Sequence, residues 1–78
     1  IRVNCVCPGV IWTAEVERMA QEGGLTREEA GIEFGSRQIM KRAADSREVA
    51  YPILFLASEE SSFCTGIALF VDGGWTAM

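Results

Sequence analysis

The sequence predicts an α/β fold, a single unit in which two parallel strands are joined by a long helical connection. Three observations carry this reading. Two short apolar runs, Ile1 to Val6 and Ile67 to Val71, have the character of strands buried on most of both faces. The stretch between them is helical in pattern. Each run ends in a turn, at Pro8-Gly9 and at Asp72-Gly73-Gly74. Two strands running in the same direction need a crossover, so the order implies a parallel pair with a right-handed connection, one βαβ unit.

The first run, with Ile1, Val3, Cys5 and Val6, closes at Pro8, because proline cannot donate to a sheet ladder and forces Cys7 into an extended conformation. Gly9 then permits backbone geometry that a side chain would forbid. "AEVERMAQE" follows, with Val16, Met19 and Ala20 on one side of a helix that Gly23-Gly24 stops. A second helix starts at Thr26, where Glu29 three residues on completes a capping box. Gly31 and Gly35 weaken it, each by about 1 kcal/mol relative to alanine. The segment Ala14 to Lys41 therefore reads as a mobile helical flap more than as core.

Asp45 and Glu48 repeat the capping arrangement, and Val49, Ile53, Leu56 and Ala57 recur at helical spacing, with Leu54 and Phe55 widening the arc. Pro52 conflicts with this helix at about 3 kcal/mol and is expected to kink it without ending it. Thr65-Gly66 turns the chain into Ile67 to Val71.

A chain of 78 residues, 49% hydrophobic, has room for one small domain, and a domain of this size is marginal unless stapled or packed on a partner. The net charge is −4 and the cations are scattered, so no basic face suits nucleic acid. No apolar run nears the roughly 18 residues that span a bilayer, so a membrane is not a partner. Cys5, Cys7 and Cys64 are odd in number and follow no apolar leader, which points to reduced, buried, inert thiols in a cytoplasmic protein. With no histidine and a lone Cys-x-Cys pair, no metal site is expected. Ile1 lies inside what reads as a strand with no turn before it, so the chain reads as part of a longer fold.

The segments "IRVNCVCPGVIWT" and "KRAADSREVAYPILFLASEESSFCTGIALFVDGG" resemble the carboxyl-terminal third of the short-chain dehydrogenase/reductase family. The resemblance implies the end of a doubly wound Rossmann-type sheet, divided as strand and Pro-Gly cofactor loop (1–13), substrate flap (14–41), and last helix and strand (42–78). It implies NAD or NADP as cofactor, with the loop Pro8, Gly9, Val10 and Ile11 beside the nicotinamide and Thr13 on the cofactor's amide or phosphates. On that reading the strand stops at Pro8-Gly9 because the backbone there passes close to a flat ring.

The family's catalytic serine, Tyr-x-x-x-Lys pair and glycine-rich turn have no counterpart. The only tyrosine, Tyr51, is followed four residues later by Phe55, and the only lysine is Lys41. No residue of this chain is therefore expected to be catalytic, and no cofactor is expected to bind tightly to this chain alone. The expected partners are the amino-terminal part of the same fold and further copies meeting through the last helix and strand. The other reading is a stand-alone, non-catalytic module for self-association or docking.

Thr13 is equally an N-cap for the helix at Ala14, and the two roles can coexist. Trp12 either lines a substrate cleft or covers the flap, while Met19 and Met40 read as packing. The adjacent pairs Glu28-Glu29 and Glu59-Glu60 read as solvated charge. The resemblance makes Asp72-Gly73-Gly74 a turn near a subunit contact rather than a phosphate loop, and an aspartate there would repel phosphate.

Overall fold

The computed structural model describes residues 1–77. Its elements are strand β1 (Cys5–Pro8), helices α1 (Ala14–Glu22), α2 (Arg27–Phe34) and α3 (Arg47–Ala57), and strand β2 (Ala68–Val71), with 3-10 turns at Glu59–Ser61 and Trp75–Ala77. The strands are parallel neighbours, with Cys5 opposite Ala68 and Pro8 opposite Val71. The expected α/β unit of two parallel strands with a helical crossover is present.

β1 nevertheless lies later than the run Ile1 to Val6. Ladder pairing needs an extended partner, and opposite Val3 and Asn4 the partner chain is still turning through Gly66, whose φ is +71°. There the Gly66 amide donates to the Val3 carbonyl at 2.8 Å, and the Asn4 side chain accepts from the Ile67 amide at 3.1 Å. The ladder starts where Cys5 N donates to Ile67 O and continues through Pro8, whose missing N–H is followed by the Gly9 amide on Val71 O at 3.0 Å.

The strands are also less covered than their apolar composition predicts. α3 packs on both, and a single helix cannot cover both faces of a sheet, so Val3 is 71% exposed and Cys5, Ala68 and Phe70 are exposed as well. The expectation of buried thiols fails at Cys5 for this reason, while Cys7 and Cys64 are half-buried and all three are free. Burial, with a hydrogen bond to the Cys5 side chain on the same strand face, pushes the Cys7 thiol up. The Cα radius of gyration is 14.4 Å, against about 11.5 Å for a compact domain of this length. The molecule is a slab.

Helix boundaries follow their caps. Thr13 accepts from the Val16 amide at the start of α1, and Gly24, at φ +70°, turns the chain out of it. Thr26 and Glu29 form the capping box of α2. At α3 the arrangement is shifted: Asp45 Oδ1 accepts from the Arg47 amide at 3.0 Å, and Glu48 Oε1 accepts from the Asp45 amide at 3.0 Å. α3 runs on through Pro52.

The segment 14–41 is not peripheral to the core, as its glycines and polar character suggested. Ala20, Ala30, Gly31, Gly35 and Gln38 are all buried, whereas α3 has no fully buried residue. Gly31 explains part of this: a Cβ there would sit 3.0 Å from Ala43 N and 3.2 Å from Arg42 Cα, so glycine lets the returning chain lie directly on α2. Met19 and Met40, expected as packing, are about half exposed.

Candidate functional site

The carboxyl ends of both strands meet at Gly9 and Asp72. Gly9 does not have a positive φ among the described residues, so its role differs from the expected conformational freedom. A Cβ at Gly9 would stand 2.9 Å from both Cα and O of Asp72 and would collide with the Gln38 side chain. Glycine is required by what lies beside it.

Beyond Gly9 the loop is zipped to the segment returning from α2. The Ala44 amide donates to Val10 O at 2.9 Å, and the Trp12 amide donates to Ala44 O at 2.8 Å, forming a parallel bridge at Ile11 and Ala44. In such a bridge alternate peptide groups point to opposite sides. The N–H and C=O of Ile11 therefore face away from Ala44, and among the described residues neither has a hydrogen-bond partner. Thr13 follows, exposed, its oxygen accepting from Val16 N at 3.3 Å and its own proton still free to donate.

The structure thus brings Pro8, Gly9, Val10, Ile11 and Thr13 into one continuous loop at the end of β1. Trp12 turns the other way, toward α1 and α2, where the Arg27 guanidinium lies 5.0 Å from its ring centroid. A groove beside this stack is lined by Ala20, Leu25 and Gln21.

Gln38 escaped the sequence reading. It is 2% exposed, and its Oε1 accepts from the Val10 amide at 2.8 Å while its Nε2 donates to Met40 O at 3.1 Å and Arg42 O at 2.9 Å. No local pattern marks it, because the contact that matters is to a residue 28 positions earlier. A cavity of about 460 Å³ opens beside it, lined by Ile39, Phe70, Asp72 and Gly73 among others.

Asp72 holds the second turn. Its carboxylate accepts from the Thr76 hydroxyl at 2.8 Å, the Gly74 amide at 3.0 Å and the Thr76 amide at 3.1 Å, and these bonds, the Thr76 hydroxyl first, hold its pKa below the usual value. Nearby, Arg42 pairs with Glu48 through two bonds of 2.8 Å. The Arg42 guanidinium, with the Asp45 amide second, lowers the Glu48 carboxyl from 4.5 to about 2. A folded-state pKa below the unfolded one adds stability that is complete above the unfolded value and is lost as pH falls. We expect the unfolding midpoint to drop between pH 4.5 and about 2, and Glu48→Gln to flatten that slope in a pH series of thermal melts. Asp72 and Glu29, also lowered, act in the same direction.

Among the described residues no group of three His, Cys, Asp or Glu side chains could hold a metal ion, and no helix is long and apolar enough to cross a membrane.

A parallel strand pair with a helical crossover and a ligand-accessible loop at the strands' carboxyl ends defines the class of Rossmann-type α/β proteins. Comparison with known proteins makes this specific. The family model described as enoyl-(acyl carrier protein) reductase matches residues 1–76. The chain is 41% identical over 76 residues to 2-keto-3-deoxy-L-fuconate dehydrogenase of Xanthomonas campestris, covering 97% of this chain and 25% of that protein. It is 40% identical over 75 residues to dehydrogenase/reductase SDR family member 6 of Danio rerio, covering 96% of this chain and 30% of the relative. The solved structure of ElxO with NADP bound superimposes with a TM-score of 0.85 at 31% identity, over 100% of this chain and 30% of that one. The chain belongs to the short-chain dehydrogenase/reductase family. It spans between a quarter and a third of the length of the relatives it matches.

Proposed function

We propose that this chain is the carboxyl-terminal portion of an NAD(P)-dependent short-chain oxidoreductase, acting on an alcohol or carbonyl substrate, and that Pro8 to Ile11 with Thr13 form its nicotinamide loop. The observation that carries the reading is the unpartnered N–H and C=O of Ile11, held outward by the flanking bonds to Ala44. A nicotinamide carboxamide offers the complementary pair, an oxygen that accepts and an NH₂ that donates. The residues present fit the group. Thr13 supplies a further donor, and the absence of a side chain at Gly9 lets the two strand ends come together behind the loop. NADP in a solved relative adds support.

When bound, the nicotinamide supplies or accepts the hydride. This chain's own residues bind and orient it, and Trp12, with Arg27 on its ring, forms a wall of the substrate flap. Proton transfer and carbonyl polarisation fall to residues outside Ile1 to Met78, since no Tyr-x-x-x-Lys pair lies within it; general acid–base catalysis is commonly worth a factor of about 10² to 10⁴. The test is to express the complete reading frame that carries this chain, titrate NADH and NADPH by fluorescence, and assay hydride transfer on a panel of alcohols and ketones. Tight binding of one cofactor is the expected result. Binding of neither would overturn the reading, and a frame that begins at Ile1 would favour the stand-alone module instead.

The same reading places copies of the protein against one another through α3 and β2, in the cytoplasm. It is supported by Tyr51, Leu54 and Phe70, which are more than half exposed on those elements. Leu54→Glu is expected to shift the complete protein to a smaller species in sedimentation velocity. An unchanged mass would remove α3 from the interface.

A further inference from the structure

We propose that Gln38 is the positioning residue of the cofactor loop: its buried side-chain amide holds the Gly9–Val10 peptide, and so fixes where the loop that presents the Ile11 N–H and C=O leaves β1. This inference rests on the cofactor-loop reading above and names what holds that loop in place.

The amide of Gln38 has one orientation that satisfies its surroundings. Oε1 takes the Val10 N–H, and the two protons of Nε2 go to the Met40 and Arg42 carbonyls. Flipping the amide would set N–H against N–H and oxygen against two oxygens. At 2% exposure the amide is almost wholly withdrawn from solvent, where a polar side chain needs such partners.

The surrounding backbone is built to admit this one side chain. A Cβ at Gly35 would lie 2.9 Å from Nε2, one at Gly73 would lie 3.3 Å from it, and one at Gly9 would collide with Oε1. Three glycines from three separate segments converge on a single amide. They belong to the cofactor loop, the carboxyl end of α2 and the turn after β2.

Val10 is the residue through which this amide reaches the ligand side. Its N–H is held by Gln38 and its C=O by the Ala44 amide, so both flanks of the residue before Ile11 are tied down. The Gln38 bond fixes the Gly9–Val10 peptide plane and the Ala44 bond fixes the Val10–Ile11 plane that follows. Removing the Gln38 bond frees the Gly9–Val10 plane, so the loop that carries the Ile11 pair loses its fixed place relative to the strand ends, and cofactor affinity should fall by more than the fold does.

The experiment uses the complete enzyme and whichever of NADH or NADPH it binds. Gln38→Leu is expected to raise the cofactor Kd at least tenfold in a fluorescence titration. Ala30→Gly, a buried change in α2 that touches none of the hydrogen bonds holding the loop, is expected to lower the unfolding midpoint while keeping Kd within twofold. If Gln38→Leu keeps Kd within twofold, or if Ala30→Gly raises it equally, the proposal is overturned and the cofactor reading stands. If the wild-type enzyme binds neither cofactor, the reading itself is overturned. Amide hydrogen exchange in the wild-type protein needs no variant: strong protection of Val10 together with rapid exchange at Ile11 that slows on adding cofactor is the expected result. Rapid exchange at Val10 would overturn the proposal.

Discussion

Gly9→Val is expected to lower the unfolding free energy of the protein by about 3 kcal/mol or more, the upper range for overpacking, and to abolish measurable cofactor binding. The new Cβ would stand 2.9 Å from Asp72 Cα and O, contacts that a side-chain rotation cannot relieve because both atoms are backbone. Either the end of β1 moves away from the end of β2, breaking the Gly9 to Val71 hydrogen bond, or the Asp72 turn moves and loses its bonds to Gly74 and Thr76. Gly9→Ala should show most of the same effect. Gly66 supplies the contrast, since its φ is +71° but a Cβ there meets nothing within 4 Å. Gly66→Ala is expected to cost about 1 to 2 kcal/mol, the ordinary penalty of left-handed backbone. Urea unfolding of the three variants separates crowding from conformation. If Gly66→Ala proves as costly as Gly9→Ala, crowding at the strand ends is not what makes glycine necessary at position 9.

Gly9 also illustrates how far the sequence could be read. The Pro-Gly pair correctly marked where β1 ends, because proline and glycine act on their own neighbours. The reason for the glycine lay in Asp72 and Gln38, distant in the chain, so the expected freedom of φ was the wrong explanation. The same division runs through the rest of the fold. Thr13, Thr26 with Glu29, and Gly23-Gly24 set the ends of α1 and α2 within one turn of themselves, and those helices were legible. β1 was placed too early because its start depends on where the partner chain straightens after Gly66. The glycines of segment 14–41 look like weakness in isolation, whereas Gly31 and Gly35 give room to Arg42, Ala43 and Gln38. Family resemblance alone points to Ile11 as a site residue. Its outward-facing peptide groups depend on the bridge to Ala44, which no local pattern announces.

Arg2→Ala is expected to destabilise the protein by about 2 to 4 kcal/mol, a large loss for a residue that composition alone would treat as surface charge. One terminal nitrogen of its guanidinium donates to Ser61 Oγ and Cys64 O, both at 3.1 Å, and the other to Leu56 O and Ser58 O, both at 3.2 Å. These acceptors include carbonyls at the end of α3, which the helix cannot satisfy internally, and α3 has no basic residue in its own last turn. Arg2 supplies the missing positive charge from the segment leading into β1, and so ties the strand to the helix that covers it. Hydrogen bonds to a charged donor contribute about 1.5 to 3 kcal/mol each before coupling, and the four share one group, so their sum overstates the loss. Arg2→Lys should restore less than half of it, because the three donors of an ammonium radiate from one nitrogen and cannot span acceptors arrayed around a planar fork. Urea unfolding of the two variants checks the magnitudes, and a loss below about 0.5 kcal/mol for Arg2→Ala would place the residue with ordinary exposed charges. Amide exchange checks the location. Faster exchange should appear in the last turn of α3 and in the Glu59–Ser61 turn while α1, which Arg2 does not touch, keeps its protection; an equal rise in all helices would mean that the guanidinium acts on global stability and does not anchor the end of α3.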